Sequence, residues 1–98
     1  MAYLLQVDFK MAGPFGDAMT QAFTELAQSI NHEEGFISKI WAENAETGEA
    51  GGIYKFATKE ATEKYLAMHT KRLAGFGIDN VNAKIFVINE QLTEINKG

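Results

Sequence analysis

The chain contains no cysteine, which excludes disulfide bonds, a thiolate nucleophile and cysteine-ligated metals. Basic residues are few, with nine Lys and Arg against 13 Asp and Glu, and they are scattered along the chain. Because a net charge of −4 repels a phosphate backbone on average, we expect no nucleic-acid partner. No apolar run is long enough to span a bilayer, so a membrane partner is not expected either.

The length and the N-terminal pattern favour a simple organisation. A chain of 98 residues has the size of one domain, and we expect residues 1–98 to form a single one. The first ten residues have no basic segment before their apolar ones, so they predict a strand and not a signal peptide. A cytoplasmic location is the resulting expectation. No phosphate-binding glycine motif and no metal-ligand spacing is present.

The apolar periodicity predicts four strands and two long helices, followed by a short helical turn. Thr58 stands where it would cap the second helix. The order β-α-β-β-α-β favours a ferredoxin-like α+β fold, a four-stranded antiparallel sheet with both helices on one face. The predicted strands are residues 2–10, 36–43, 50–57 and 81–89, the helices are 17–32 and 59–74, and the turn is 91–96.

The sheet face away from the helices is predicted to be partly apolar. We expect it to carry Leu4, Ile37, Trp41, Phe86 and Ile88 among the polar Gln6, Asp8, Lys39 and Lys84. A face that met only water would be polar, so the pattern predicts that a second copy of the chain covers it as a homodimer. The alternative is that scattered apolar side chains are tolerated there.

The second helix differs from the first in its inward face. At 100° per residue, His69 and Arg72 fall within the apolar arc of the second helix, whereas the arc of the first has no ionisable group. An inward histidine is readily tuned as a proton carrier, and an inward arginine needs partners. The alternative is a core histidine with satisfied hydrogen bonds, beside an arginine that reaches a carboxylate at the helix end.

The segment WAENAETGEAGGIYKF, residues 41–56, predicts a hairpin with two glycines before Tyr54. Gly51 and Gly52 indicate a bulge, a closely approaching backbone or a ligand. Tyr54 and Tyr65 would add phenolic donors to a small-molecule pocket. Trp41 shares the face of Tyr54 if Thr47 and Gly48 form a two-residue turn. One more loop residue, or a bulge at the glycines, would instead turn it toward the dimer interface.

Four segments in order carry a resemblance to a known family: GPFGD at 13–17, EAGGIY at 49–54, HTKRL at 69–73 and VINEQL at 87–92. Together they closely resemble the YdhR-type monooxygenase family over essentially the whole chain. The resemblance implies a dimeric α+β barrel, in which the sheets of two ferredoxin-like subunits pack face to face. Each subunit would keep a pocket between its own sheet and helices.

The same resemblance implies a chemistry. The wider superfamily includes small monooxygenases that oxidise polycyclic aromatic substrates without metal or flavin, by deprotonating a phenol whose carbanion reacts with O2. By this resemblance, His69 or Tyr54 would act as the base or orient the phenol, and Arg72 would stabilise the phenolate. Trp41 or Tyr65 would stack on a planar substrate beside the backbone of Gly51 and Gly52.

Two other functions remain open at this point. Some members of the superfamily degrade heme with a histidine on the second helix, which would make His69 an axial ligand. Otherwise the protein is a dimeric binding protein for a small apolar compound, with the same pocket and no turnover.

Overall fold

The predicted ferredoxin-like fold is confirmed by the computed structural model, which describes all of residues 1–98. Its sheet has the strand order β2-β3-β1-β4, and every neighbouring pair is antiparallel. The elements are β1 (Tyr3–Lys10), α1 (Asp17–Ile30), β2 (Phe36–Asn44), β3 (Glu49–Phe56), α2 (Lys59–Gly75), β4 (Asn82–Val87) and α3 (Glu90–Ile95).

The core lies between the sheet and the two long helices. Alternate residues of β1 and β3 point into it, because successive side chains of a strand face opposite ways. Tyr65 of α2 packs against Phe56 of β3, with ring centroids 5.2 Å apart. The fully enclosed cluster also takes one residue from α1, and it consists of Leu5, Val7, Ile30, Tyr54, Phe56, Ala61 and Tyr65.

Two polar contacts fix the starts of the helices. The hydroxyl of Thr58 accepts the backbone N–H of Ala61 at 3.1 Å, so the predicted cap of α2 is confirmed. At the start of α1, the N–H of Gly16 donates to the Glu43 carboxylate at 2.7 Å. This second bond ties the end of β2 to the loop between β1 and α1, and that loop borders the site described below.

The hairpin of β2 and β3 has a longer loop than the predicted two-residue turn. Asn44 pairs with Glu49, so residues 45–48 form a four-residue loop. The side chain of Asn44 accepts the N–H groups of Glu46 and Thr47. Because two added residues preserve the alternation, Trp41 still shares a sheet face with Tyr54, and it pairs with Gly52.

The irregularity of the sheet lies in β2 and not at the glycine pair. Pairing passes from Phe36–Phe56 to Ser38–Lys55, which leaves Ile37 as the extra residue of a bulge. The extra residue reverses the alternation that follows Phe36, so Lys39 and Trp41 lie on the helix-covered face. The expectation that these two residues lie on the open face is therefore wrong.

The two glycines make room for different neighbours. A Cβ on Gly51 would overlap the backbone carbonyl of Val7, so Gly51 allows β1 to approach closely. A Cβ on Gly52 would come within 2.6 Å of the Lys39 side chain at Cε. Pairing of β1 with β3 is unbroken through both positions, which makes the bulge interpretation wrong there.

The open face carries an apolar diagonal across the sheet. Leu4 pairs with Phe86, and both lie on this face as expected. Ile40 pairs with Ile53 on the same face, whereas Trp41 is on the covered one. Ile40 is 68% exposed and Phe86 is 50% exposed.

No helix has the length and apolarity needed to cross a membrane.

Gly51→Ala should destabilise the protein by roughly 2 kcal/mol, since forced overpacking costs about 1–3 kcal/mol. Gly75→Ala is the matched control, because nothing lies within 4 Å of a Cβ at that helical position. We expect this control to be neutral or more stable by up to about 1 kcal/mol. Urea unfolding of both variants measures the difference. Equal stability of the two would contradict the close approach of β1 and β3.

Candidate functional site

A cavity of about 440 Å³ opens between the sheet and the two long helices. Most of its wall is apolar, and no aspartate or glutamate lines it. The polar side chains that enter it come from Lys10, Lys39, Tyr54, His69 and Arg72. A largely apolar cavity with a few convergent polar groups is the usual form of a small-molecule site.

A chain of hydrogen bonds runs along the back of this cavity. Tyr65, His69 and Arg72 share one face of α2, since they are spaced four and three residues apart. Arg72 Nη2 donates to the Tyr65 hydroxyl at 3.1 Å and lies 3.0 Å from His69 Nδ1. His69 Nε2 lies 3.3 Å from the hydroxyl of Tyr54 on β3. The network therefore connects α2 to the sheet.

These contacts fix the state of His69. A guanidinium can only donate, so Nδ1 accepts from Arg72. A neutral imidazole then carries its proton on Nε2 and donates it to Tyr54. Burial, followed by the charges of Arg72 and Lys39, lowers the pKa of His69 from 6.5 to about 3. With 4% of its surface exposed, His69 is a neutral donor at physiological pH.

Both buried tyrosines hold their protons. Burial raises the pKa of the Tyr54 hydroxyl, and its neighbour Tyr65 adds to the effect. The pKa of Tyr65 is raised for the same leading reason. Neither phenol is therefore a ready proton acceptor near neutral pH, and both serve as hydrogen-bonding groups of fixed position.

Lys39 is the unexpected member of the site. Its ammonium group lies 3.3 Å from the ring centroid of Trp41 and 4.5 Å from that of Tyr54. These cation–π contacts favour the charged form. Burial opposes it more strongly, and with the charge of Arg72 it lowers the pKa of Lys39 from 10.5 to about 7. At neutral pH this amine is populated in both its charged and its neutral form.

Gly52 accounts for the place of that lysine. It pairs with Trp41 on the strand beside Lys39, and its missing Cβ leaves the space that Lys39 Cε occupies. The lysine stem can therefore lie flat on the sheet between the two aromatic rings. Any other residue at position 52 would have to push the stem aside.

One hydrogen-bond donor of Arg72 has no partner. Its Nη2 group is engaged twice within the protein, but its Nε is buried without any hydrogen-bond partner. A buried donor left unpaired costs about 1–3 kcal/mol. Arg72 also lines the cavity, so its guanidinium brings a positive charge to the cavity wall.

Aromatic side chains form a flat wall at the side of the cavity. Phe23 of α1 stacks on Trp41, with centroids 6.2 Å apart and ring planes 20° apart. Trp41 keeps 39% of its surface exposed, so one part of the ring is free for contact. At the mouth, Phe76, which follows the last turn of α2, is 64% exposed.

The predicted site residues lie close together. Tyr54, His69 and Arg72 line the cavity and are joined by hydrogen bonds through His69. Trp41 and Gly51 also line it. Tyr65 and Gly52 lie behind the lining, where Tyr65 accepts from Arg72 and Gly52 makes room for Lys39. The sequence reasoning missed Lys39 and Phe23. Lys39 could have been found from Trp41, since residues two apart on a strand share a face.

The side chains of the cavity are not arranged to ligate an iron ion or a heme. No group of three or more His, Asp or Glu side chains is placed to hold a metal ion. Both nitrogens of His69 are engaged with Tyr54 and Arg72, so neither is directed at a ligand in the cavity. Axial ligation would require breaking that network.

Replacing Lys39 should change how stability depends on pH. The unfolded chain has the ordinary lysine pKa of 10.5 and the folded chain about 7, so unfolding takes up a proton between these values. The free energy of unfolding contributed by this group therefore rises with pH across that window. In Lys39→Met we expect higher stability than the parent at about pH 7 and a shrinking advantage toward about pH 10.

Urea unfolding across this pH range measures the effect. Lys71→Met is the control, because Lys71 lies exposed on α2 and outside the cavity. A stability difference between Lys39→Met and the parent that does not change with pH would contradict the burial of the amine.

Comparison with known proteins identifies the family. A search of curated proteins found no match to the chain. A family model described as "Putative mono-oxygenase ydhR" matches residues 4–98. This range includes every residue of the site, all three helices and all four strands except Tyr3, the first residue of β1. The chain therefore belongs to the ydhR family.

Proposed function

We propose that the protein is a monooxygenase that uses O2 to oxidise a small planar phenol within the cavity, with no bound cofactor. The observation that carries this proposal is a cavity that combines an aromatic wall with the basic side chains of Lys39 and Arg72 and contains no acid. A planar ring with a charged phenolate oxygen suits that combination. The family description supports the reaction class.

Arg72 would stabilise the charge that develops on the substrate oxygen. Its guanidinium is held from behind by the Tyr65 hydroxyl and His69, so its orientation is fixed before the substrate arrives. A preorganised donor of this kind is effective because it needs no rearrangement when charge appears. Trp41, supported by Phe23, would stack on the planar ring.

Of the two roles that the resemblance implies for His69 and Tyr54, orientation fits their contacts better than proton removal. His69 donates from Nε2, and its low pKa makes it a weak base. Tyr54 keeps its own proton. Together they would hold Arg72 and the substrate oxygen in place.

The oxidation balances with O2 alone for a phenol whose keto tautomer carries a methylene group, as in an anthrone. In the phenol tautomer that carbon keeps one hydrogen, and loss of the O–H proton delocalises charge onto the carbon, which then forms a C–O bond with O2. The resulting peroxide breaks its O–O bond and the remaining C–H bond. The carbon becomes a carbonyl, four electrons pass to O2, and the second oxygen atom leaves as water.

We also propose that two copies pack through their open sheet faces. The apolar diagonal of Leu4, Ile40, Ile53 and Phe86 would be buried by a two-fold related copy. Pairing of this kind leaves each cavity on the opposite, helix-covered face. The proposed partner is thus another copy of this chain, and the proposed ligand is a small molecule.

A non-enzymatic binding protein is the second candidate. The neutral state of His69 and the protonated tyrosines leave the hydrogen-bond network without an evident base, which suits binding as well as turnover. The two candidates differ in one measurement, which is O2-dependent product formation from a ligand that binds.

The enzyme should accelerate oxidation of 1,8-dihydroxyanthrone above its rate in buffer, in the presence of a metal chelator. Under labelled O2, one labelled atom should enter the new carbonyl of the product. Arg72→Met should lower kcat by about 100-fold, since loss of one such donor costs about 10²–10³ in rate. Absorbance of the quinone product and mass spectrometry provide the measurement.

Lys71→Met serves as the exposed-charge control and should match the parent. Saturable binding of the anthrone without any acceleration by the parent protein would contradict the monooxygenase proposal. That outcome would favour the binding protein.

The dimer proposal predicts that charges on the open face separate the subunits. Ile40→Lys combined with Phe86→Lys should convert a dimer into a monomer in sedimentation equilibrium, because a lysine in an apolar interface is left without a partner. Gln21→Lys combined with Gln28→Lys, both on exposed positions of α1, adds the same charge elsewhere and should stay dimeric. A monomeric parent protein would contradict the proposal.

A further inference from the structure

We propose that Lys39 is the proton acceptor of this site and that Lys39 and Arg72 together bind the acidic oxygen of a planar aromatic phenol or enol. The oxidation of such a molecule rests on the function proposed above. The binding and ionisation of the phenol do not depend on oxidation, so they can be tested without O2.

The place of Lys39 gives the first argument. Its amine lies over the ring of Trp41, 3.3 Å from the centroid. A planar molecule placed against the part of Trp41 that the amine leaves uncovered would have its own substituents beside the amine. The space that Gly52 leaves keeps the lysine stem flat on the sheet, so the cavity in front stays open.

The charges around Lys39 give the second argument. From α2 it faces Arg72 and the neutral His69, from β3 the protonated Tyr54, and from β1 the cavity is bordered by Lys10. The cavity-lining residues of α1 are Met19, Phe23 and Leu26, none of which ionises.

The carboxylate of Glu43, on the same face of β2 as Lys39, is hydrogen-bonded to another part of the chain. It accepts the N–H of Gly16 at the start of α1. Lys39 and Arg72, with Lys10 at the border, therefore share a cavity whose lining contains no acid. An anionic oxygen bound near Lys39 and Arg72 would neutralise the excess charge.

The proton balance follows from these positions. The phenol O–H bond breaks, its proton joins the lone pair of the neutral Lys39 amine, and a phenolate faces an ammonium group. The lowered pKa of Lys39 supports this step, because a base with a pKa near the working pH is available in its neutral form. The new ammonium remains over Trp41, where the aromatic face stabilises it.

The test uses 2-naphthol, a planar two-ring phenol whose ionised form absorbs at longer wavelength, under argon at about pH 8. Free phenols ionise near pH 10, so the unbound probe is neutral at this pH. With the parent protein we expect the phenolate band to appear on binding, while far less than one proton per bound probe is released to a weakly buffered solution. The protein itself would have taken the proton.

Two substitutions separate a base from a charge. Lys39→Met should bind the probe in its neutral form, with loss of at least about 90% of the phenolate band. Lys39→Arg keeps a positive charge but cannot accept a proton, so any phenolate that it binds should release about one proton per probe to solution. Lys71→Met, in which the replaced side chain is exposed on α2, should give the same phenolate band and proton release as the parent.

Gly52→Ala keeps the amine and disturbs only its place. The added methyl group would meet Lys39 Cε, so we expect a folded protein with a reduced phenolate band. An unchanged band in that folded variant would overturn the assigned position of the lysine.

Three results with the parent or with Lys39→Met would overturn the proposal itself. The first is an absence of binding or of the phenolate band in the parent. The second is release of about one proton per probe by the parent, and the third is a full phenolate band in Lys39→Met. A positive result here together with no turnover of any anthrone under O2 would leave the proton acceptor in place and contradict only the monooxygenase.

Discussion

A half-buried lysine amine with no carboxylate beside it is the constraint on which the site depends. Lys39 lies on the aromatic faces of Trp41 and Tyr54, and besides burial its pKa is lowered by the like charge of Arg72. Two neighbouring cations in an apolar cavity are unfavourable for the free protein. The arrangement becomes favourable when an anionic atom lies between them, which connects the fold to a class of ligand.

The surrounding structure keeps this unfavourable pair in place. Arg72 is held by Tyr65 and His69, and His69 is held in turn by Tyr54, so α2 and β3 position one another through polar contacts. The aromatic packing of Tyr54, Phe56 and Tyr65 lies directly behind the network. A change in the core should therefore alter the cavity as well as the stability.

The sheet also divides the molecule into two surfaces of different use. Its covered face provides the cavity, whereas its open face presents an apolar diagonal in which Ile40 and Phe86 are half or more exposed. Since side chains alternate along every strand, each strand contributes to both surfaces. The bulge at Ile37 decides which residues of β2 go to which surface.

The sequence pattern was enough to predict the element order, the cap at Thr58 and the inward positions of His69 and Arg72, because these follow from local periodicity and capping chemistry. It could not predict the bulge at Ile37, since no residue there marks it. A single extra residue placed Lys39 and Trp41 on the covered face. The contact of Phe23 with Trp41 could not be predicted either, because it depends on how α1 packs on β2.

The two glycines show the same limit. Gly51 and Gly52 were recognised as unusual in a strand, yet composition could not separate a bulge from a close backbone or from room for a ligand. In the fold, Gly51 allows β1 to approach and Gly52 makes room for the lysine stem. The side chain that gives Gly52 its importance is thirteen positions away in the sequence.

The most direct measurement is the crystal structure of the protein with 2-naphthol bound, grown near pH 8. We expect the ring against Trp41 and its oxygen within hydrogen-bonding distance of both Lys39 Nζ and the Arg72 guanidinium. A probe bound with its oxygen toward solvent at the mouth, or outside the cavity, would contradict the account.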